Sequence, residues 1–449
     1  MKKIQNLSED RFLKLFFAFV TAAFLIAAVC MPDRGTMFTG LWKITTSTAK
    51  ISSNYFSVGG YAASFLNAGL VALTCLLLFI IFRAQPNNAS TLAFLLTAGF
   101  GTWGINLLNI LPTIAGVLLY ALAKKEKPGK LVNAMLFSTG IAPLFSELLF
   151  RYPSTEYLGF NWLGLVLALI VGIAVGFFLP AGLAHSPKVH KGYDLYSAAV
   201  PIGMMAFLIN ATFFKTLGLD VDALSTSGDL AVKSQFVANA FCIPVFGLCI
   251  LFALLMGCKP KDYWQLLKNK ESAVSFSSTY GNAAFLMNAG VFGLFILATF
   301  NLIGAPFNGV TFGVMFCMLS CCNSGSHPLN VLPLVLGYVV ASAVCGWLSP
   351  LLGGTFACAI NAQAVCVGMS YANGLSPIVD KYGWRYGFAA SIIHYLLVTS
   401  MPKLHGGFCL YNGGLTAAIT CLIFVPILEH HFRFKDARKA FRLRRHAVK

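Results

Sequence analysis

The sequence predicts an all-α integral membrane protein built from two related halves, and three observations carry that prediction. Of 449 residues, 57% are hydrophobic and 10% charged, whereas soluble domains carry roughly a quarter charged residues. Apolar runs long enough to cross about 30 Å of hydrocarbon as helices recur along the whole chain. The chain also repeats itself: Pro187-Lys188-Val189-His190-Lys191-Gly192-Tyr193-Asp194-Leu195-Tyr196 returns as Pro402-Lys403-Leu404-His405-Gly406-Gly407-Phe408-Cys409-Leu410-Tyr411.

Taken in order, ten runs read as membrane crossings: 13–31, 61–82, 131–150, 160–179, 195–214, 236–258, 281–303, 354–374, 386–401 and 408–428. Their continuous apolarity excludes a transmembrane barrel, whose strands alternate apolar and polar residues. The first run follows Lys2, Lys3, Arg11 and Lys14 but is too long for a signal peptide and lacks a small-residue exit, so a retained helix is expected. Two further segments, 91–123 and 306–353, are interrupted by Gly99-Phe100-Gly101-Thr102-Trp103-Gly104-Ile105-Asn106 and by Cys322-Asn323-Ser324-Gly325-Ser326-His327-Pro328. They read as broken hairpins, either re-entrant or paired short spans, giving ten to fourteen helices. The thirteen cysteines are odd in number and sit mostly in apolar runs, which predicts buried thiols and no disulfide framework.

The repeat extends beyond one motif. Asn67-Ala68-Gly69 recurs as Asn288-Ala289-Gly290, and 288 minus 67 is an offset of 221. Gly104, Asn109, Leu111, Pro112 and Gly116 recur at the same offset as Gly325, Asn330, Leu332, Pro333 and Gly337, and Gly140-Ile141-Ala142-Pro143 answers to Gly374-Leu375-Ser376-Pro377. The predicted organisation is an N-terminal helix and external loop (1–58), repeat 1 (59–216), a connecting loop, linker helix and basic loop (217–280), repeat 2 (281–428) and a basic tail (429–449).

The net charge of +17 is read by which loops carry it. Basic clusters at 2–14, 124–130, 188–191, 259–270, 381–385 and 433–449 can share one side, with Glu156 and the Asp220, Asp222 and Asp229 loop opposite. Both termini are then expected on the cytoplasmic side of the membrane. Under this rule the helix at Asn67 and its repeat at Asn288 run in opposite directions, so the repeats are inverted. The tail, basic residues interleaved with Phe432, Phe434 and Phe441, fits anionic lipid headgroups better than nucleic acid.

Inverted repeats with helices broken in corresponding places point to a transporter or channel whose path lies at the repeat interface. The predicted path residues are Asn67, Asn288, Asn106, Asn109, His327, Asn330, His190, His405, Tyr196, Tyr411 and Asn412, with Glu147 and Asp380 in comparable places after Pro143 and Pro377 for ion coupling. The competing readings are structural. The asparagines could bond between helices in small-residue contacts, Tyr196 and Tyr411 could anchor the interface, and both carboxylates could mark helix ends beside Arg151 and Lys381. His394 has no counterpart in the first half. Cys321, Cys322 and His327 lack a second pair at zinc spacing, and no nucleotide or metalloprotease motif is present. No metal, cofactor or enzymatic activity is expected.

At the paired His-x-Gly-aromatic-x-Leu-Tyr segments the chain resembles a family of bacterial polytopic membrane proteins with a duplicated domain of unknown function, a resemblance that covers nearly the whole sequence. Tyr411-Asn412-Gly413-Gly414-Leu415-Thr416 is also similar to a pattern of urea channels, which are themselves inverted repeats; Ser197 and Pro201 stand in the first copy where the second has Asn412 and Thr416. That similarity implies a small polar solute. The alternatives are an intramembrane enzyme acting on lipid or peptide through His190 and His405, or a sensor or scaffold. Oligomeric state is left open, a homo-oligomer among the options.

Overall fold

The computed structural model describes residues 7–219, 231–271 and 274–447, and contains helices and no strand among them. The acidic loop at Asp220, Asp222 and Asp229 lies outside the described residues. The first half comprises α1 (Glu9–Cys30), α2 (Met37–Thr45), α3 (Tyr55–Gly59), α4 (Tyr61–Ile81), α5 (Asn88–Phe100), α6 (Leu111–Lys124), α7 (Val132–Ser138), α8 (Pro143–Phe150), α9 (Trp162–His190) and α10 (Ala199–Ile209). The second comprises α11 (Ala231–Leu255), α12 (Pro260–Leu267), α13 (Phe276–Thr279), α14 (Asn282–Leu302), α15 (Gly309–Leu319), α16 (Pro328–Leu351), α17 (Gln363–Ala372), α18 (Ser376–Tyr382), α19 (Trp384–Val398), α20 (Met401–Leu404) and α21 (Asn412–Ala447).

Among the described residues, eight helices are long and apolar enough to cross a membrane, and a ninth span arises if α7 and α8, bent by 49°, count as one. This differs from the ten runs read from the sequence. Residues 354–374 split into an irregular stretch and the ten-residue α17, and 386–401 forms the fifteen-residue α19. At 1.5 Å per residue each falls short of the hydrocarbon thickness. Conversely α16, drawn from the second broken hairpin, is one of the eight. Hydropathy alone cannot see where a turn cuts an apolar run.

The same local chemistry starts corresponding helices in both halves. Asn87 caps α5 by accepting from the Ser90 amide while the Ser90 hydroxyl accepts from the Asn87 amide, and Asn308 and Thr311 repeat this box at α15. Asn54 and Ser275 cap α3 and α13. The small residues expected at helix contacts do pack there: a Cβ on Gly69 would lie 2.6 Å from Leu25 of α1, and one on Gly290 2.7 Å from the Phe246 carbonyl of α11. The correspondence therefore includes α1 and α11, which the sequence reading had left as an N-terminal helix and a linker.

Helices α5 and α15 cross in the interior. Every residue of α15 and every residue from Ser90 to Phe100 of α5 is buried, the all-round apolar pattern of a core helix. Gly99 and Gly313 bring the two backbones together, since a Cβ on either would sit 2.5 Å from the other's carbonyl oxygen. A stack of Phe17, Phe24, Phe65, Phe94, Phe241, Phe312 and Phe316 surrounds this crossing. The thirteen cysteines are all unpaired, most of them buried.

Contacts define two ends of the molecule. At one, Asn282 donates to the Leu7 carbonyl, Ser277 to Glu9, and Ser324 to the Asn88 carbonyl, while Lys191 pairs with Glu429 at 2.7 Å and Lys381 bonds Tyr193. This end carries the basic loops. At the other, Arg151 reaches Thr48, Tyr157 donates to the Thr46 carbonyl, and Asn210 donates to the Leu404 carbonyl.

Candidate functional site

The predicted path residues assemble into two pairs of matching frames. In the first hairpin Asn67 donates to the carbonyls of Gly101 and Ile105 at 2.7 and 2.8 Å. In the second Asn288 donates to those of Cys322 and Ser326 at 2.8 and 3.0 Å, and every position is shifted by 221. These carbonyls lie beyond the ends of α5 and α15, where no α-helical turn continues to satisfy them. Asn109 donates to the Gly104 carbonyl and accepts from the Asn106 amide, and Asn330 does the same with Gly325 and His327. Gly104 (φ +108°) and Gly325 (φ +125°) occupy backbone open to glycine alone. These asparagines hold the hairpin tips in shape.

The second hydrogen of each tip asparagine shows that the two predicted coupling carboxylates do not occupy corresponding positions. Asn109 donates to the Ser146 hydroxyl at 3.1 Å, and Asn330 contacts both Asp380 oxygens at 3.1 and 3.2 Å. With Gly140 matching Gly374, the register pairs Asp380 with Ser146, so Glu147 is not its counterpart. Glu147 is fully buried and bound to Arg151 at 2.9 Å, on a cluster at the end away from the basic loops. The two carboxylates are not brought together.

The His-Gly elements form the second matching pair, at an offset of 215. The Asp194 amide donates to His190 Nδ1 at 3.3 Å and His190 Nε2 meets Ser197 Oγ at 2.9 Å. The Cys409 amide likewise donates to His405 Nδ1 at 3.3 Å, and His405 Nε2 meets Asn412 Oδ1 at 2.9 Å. Because Nδ1 accepts in both, a neutral ring carries its hydrogen on Nε2. The acceptor-only Oδ1 of Asn412 fits that tautomer. His190 thus donates to Ser197, the reverse of what a general base activating a serine must do.

Each element reaches across to the other half. The Leu195 amide donates to the Gly374 carbonyl at 3.1 Å and the Leu410 amide to the Gly140 carbonyl at 2.9 Å. Tyr196 donates to the Cys317 carbonyl at 2.8 Å and receives a bond from Asn373, whose carbonyl oxygen in turn accepts from Ser326. Tyr411 packs edge-on against Phe100 with 5.2 Å between centroids. Both tyrosines are fully buried, which overturns the interfacial-anchor reading. His394 bridges Tyr338 and the Gly413 carbonyl, tying α16, α19 and α21 together.

The two elements differ in what surrounds them. A cavity of about 490 Å³ opens at the basic end, walled by the start of α5 (Asn88, Ala89), by Lys130 and Asn133, and by His190, Asp194 and Ser197. The Asp194 side chain is buried to 3% exposure; Oδ1 accepts from the Tyr196 amide at 2.9 Å, while Oδ2 has no hydrogen-bond partner among the described residues. At the opposite end His405, Cys409 and Asn412 are buried, with segment 48–54 laid over them: the Ile51 amide donates to the Gly407 carbonyl at 2.8 Å and Lys50 Nζ stands 5.5 Å over the Phe408 ring. Sequence reasoning missed Asp194, Asn133 and Asn373. For Asp194 a signal existed, since it is the one position in the repeated motif where a carboxylate in one copy faces a cysteine in the other.

The fold and site define a class, an apolar helical protein of membrane type made of a duplicated unit with a cavity at its basic end. The family described as "Protein of unknown function (DUF1576)" matches this chain twice, over residues 34–215 and 259–430, and the chain belongs to that family. Both matched stretches begin ahead of the boundaries read from the sequence at 59 and 281. Neither a curated protein nor a solved structure matches the chain.

Proposed function

We propose that this protein moves a small polar solute across a bacterial cytoplasmic membrane by alternating access, with both termini in the cytoplasm and the two halves related as inverted repeats. The observation that carries the reading is the pair of His-Gly elements: matching hydrogen-bond frames, one lining a cavity at the basic end and the other sealed at the far end. Inversion is supported by helix ends. Helix α4 begins beside Asp33 and ends at Phe82 next to Gly129, whereas α14 begins beside Leu7 and ends where Asn301 meets Asn239. Basic loops at the cavity end support a cytoplasm-facing opening. Tyr196 and Tyr411, the crossed α5 and α15, and the hairpin tips fill the interior between the ends and form the closed barrier of this state.

Reconstituted protein tests this directly. Uptake into proteoliposomes should saturate with solute concentration, as expected of a carrier that presents one face at a time, and should fall when Gly140 or Gly374 is enlarged to alanine in protein that still elutes as a folded species. Non-saturating flux would indicate a fixed pore. Absence of flux across a panel of amines, amides, carboxylates and amino acids, with ion gradients present, would count against transport.

A further inference from the structure

We propose, resting on the transport reading, that Asp194 holds the positively charged nitrogen of the solute, so that the cavity takes a small organic cation with an apolar body. The residue lines the cavity, its carboxylate is inside the protein, one oxygen is fixed by the Tyr196 amide, and the other is buried with no partner among the described residues. Burying an unpaired carboxylate is costly unless a cation or a proton joins it. Of the basic side chains at this end, Lys191 is held by Glu429 and Lys381 by Tyr193, and Lys188 is exposed. Lys130 stands exposed at the mouth, where water screens it.

The carboxylate is not needed to build its own turn. Cys409 holds the equivalent place in the second half, and its backbone amide makes the same bond to the same histidine nitrogen at the same 3.3 Å. A charge present in one copy, dispensable to the shared frame and buried in the cavity wall without a partner, is placed for a ligand. Beyond it the walls are largely apolar, including Leu92, Leu131, Ala134, Phe137 and Leu183. These suit an alkyl body, while the Ser197 hydroxyl and the Asn133 amide add polar contacts at the rim.

The test is ligand-induced stabilisation of the detergent-purified full chain at pH 8, using methylammonium, butylammonium, choline and putrescine against butanol and butyrate. A ligand that binds only the folded state raises the melting temperature. At least one amine should raise it while butanol and butyrate do not, and Asp194→Asn and Asp194→Cys should lose the shift. The cysteine variant copies the second half and guards against simple misfolding. Equal shifts with butanol, a shift undiminished in both variants, or stabilisation by butyrate that Lys130→Ala abolishes would overturn the proposal, as would silence from every amine. The two readings separate cleanly. Amine binding without uptake sinks transport and keeps the cation site; uptake of neutral solutes unaffected by Asp194→Asn does the reverse.

Discussion

Asn67 and Asn288 each tie down two carbonyls that no helix can satisfy. Removing such an amide leaves buried acceptors unpaired, at about 1–3 kcal/mol for each. Asn67→Ala and Asn288→Ala should therefore each lower stability by roughly 2–4 kcal/mol on that basis, seen as a reduced melting temperature without any solute present. A purely permeation-lining residue would leave that temperature unchanged. Asp194 sets a pH dependence. Burial pushes its carboxyl up to about 7, partly opposed by the Tyr196 amide. The groups facing it are His190 on its own turn, Lys130 at the cavity mouth, Cys321 from the second hairpin and Cys421 from α21. A carboxyl raised in the folded state binds its proton more tightly there, so its contribution to stability is full below about 3.8, the ordinary value, and is lost as pH rises through about 7. Cation binding needs the ionised form and runs the other way. It should weaken about tenfold per pH unit below 7 and level off above, by the definition of a titration. Binding measured at pH 6 and pH 8 checks this, and Asp194→Asn should be flat.

At the level of elements the hairpin tips are set by glycine. Placing alanine at Gly104 or Gly325 forces an L-residue into positive φ, a cost of about 1–2 kcal/mol. At Gly104 the added carbon also meets Leu410 at 3.0 Å. The cross-half contacts are stricter. A Cβ on Gly140 would lie 1.9 Å from the Tyr411 ring, and one on Gly374 2.6 Å from both Asp194 and Tyr196, so Gly140→Ala and Gly374→Ala should displace the opposite half's His-Gly element. Solute flux should then fall by more than the loss of stability accounts for, which uptake normalised to folded protein measures. Glycine pairs also set helix contacts: a Cβ on Gly116 would meet the Ile173 carbonyl at 2.1 Å, and one on its counterpart Gly337 the Ser391 hydroxyl at 1.9 Å. The two halves share the requirement for close approach but meet it with different partners.

For the whole molecule, the asymmetry between its ends is the property to test. On a cysteine-depleted background, Asn133→Cys lines the open cavity and should react with a polar maleimide from the basic end, while a cysteine retained at position 409 should stay unreactive. A solute that drives the alternate state should reverse the order, slowing Asn133→Cys and exposing position 409. Equal labelling of both positions in the same state would favour a fixed pore.

The sequence by itself determined that this is an apolar helical chain of membrane type, that it is a duplication, and which glycines and asparagines recur, because composition and spacing survive without coordinates. It singled out Asn67 and Asn288 within apolar runs, and Asn109 and Asn330 within the broken hairpins, among its candidate path residues. Only the tertiary structure decided what they do. Whether an amide faces a solute or a broken helix depends on which backbone lies beside it, and those carbonyls are 34 to 38 residues away in the chain. That Asp380 answers to Ser146 was implicit in the Gly140–Gly374 match, and the corresponding bonds from Asn330 and Asn109 made it plain. The cavity around Asp194 joins α5, the segment 130–134, the end of α9 and Ser324, and no local pattern brings those together, because a cavity is a property of how separate elements fail to fill the space between them.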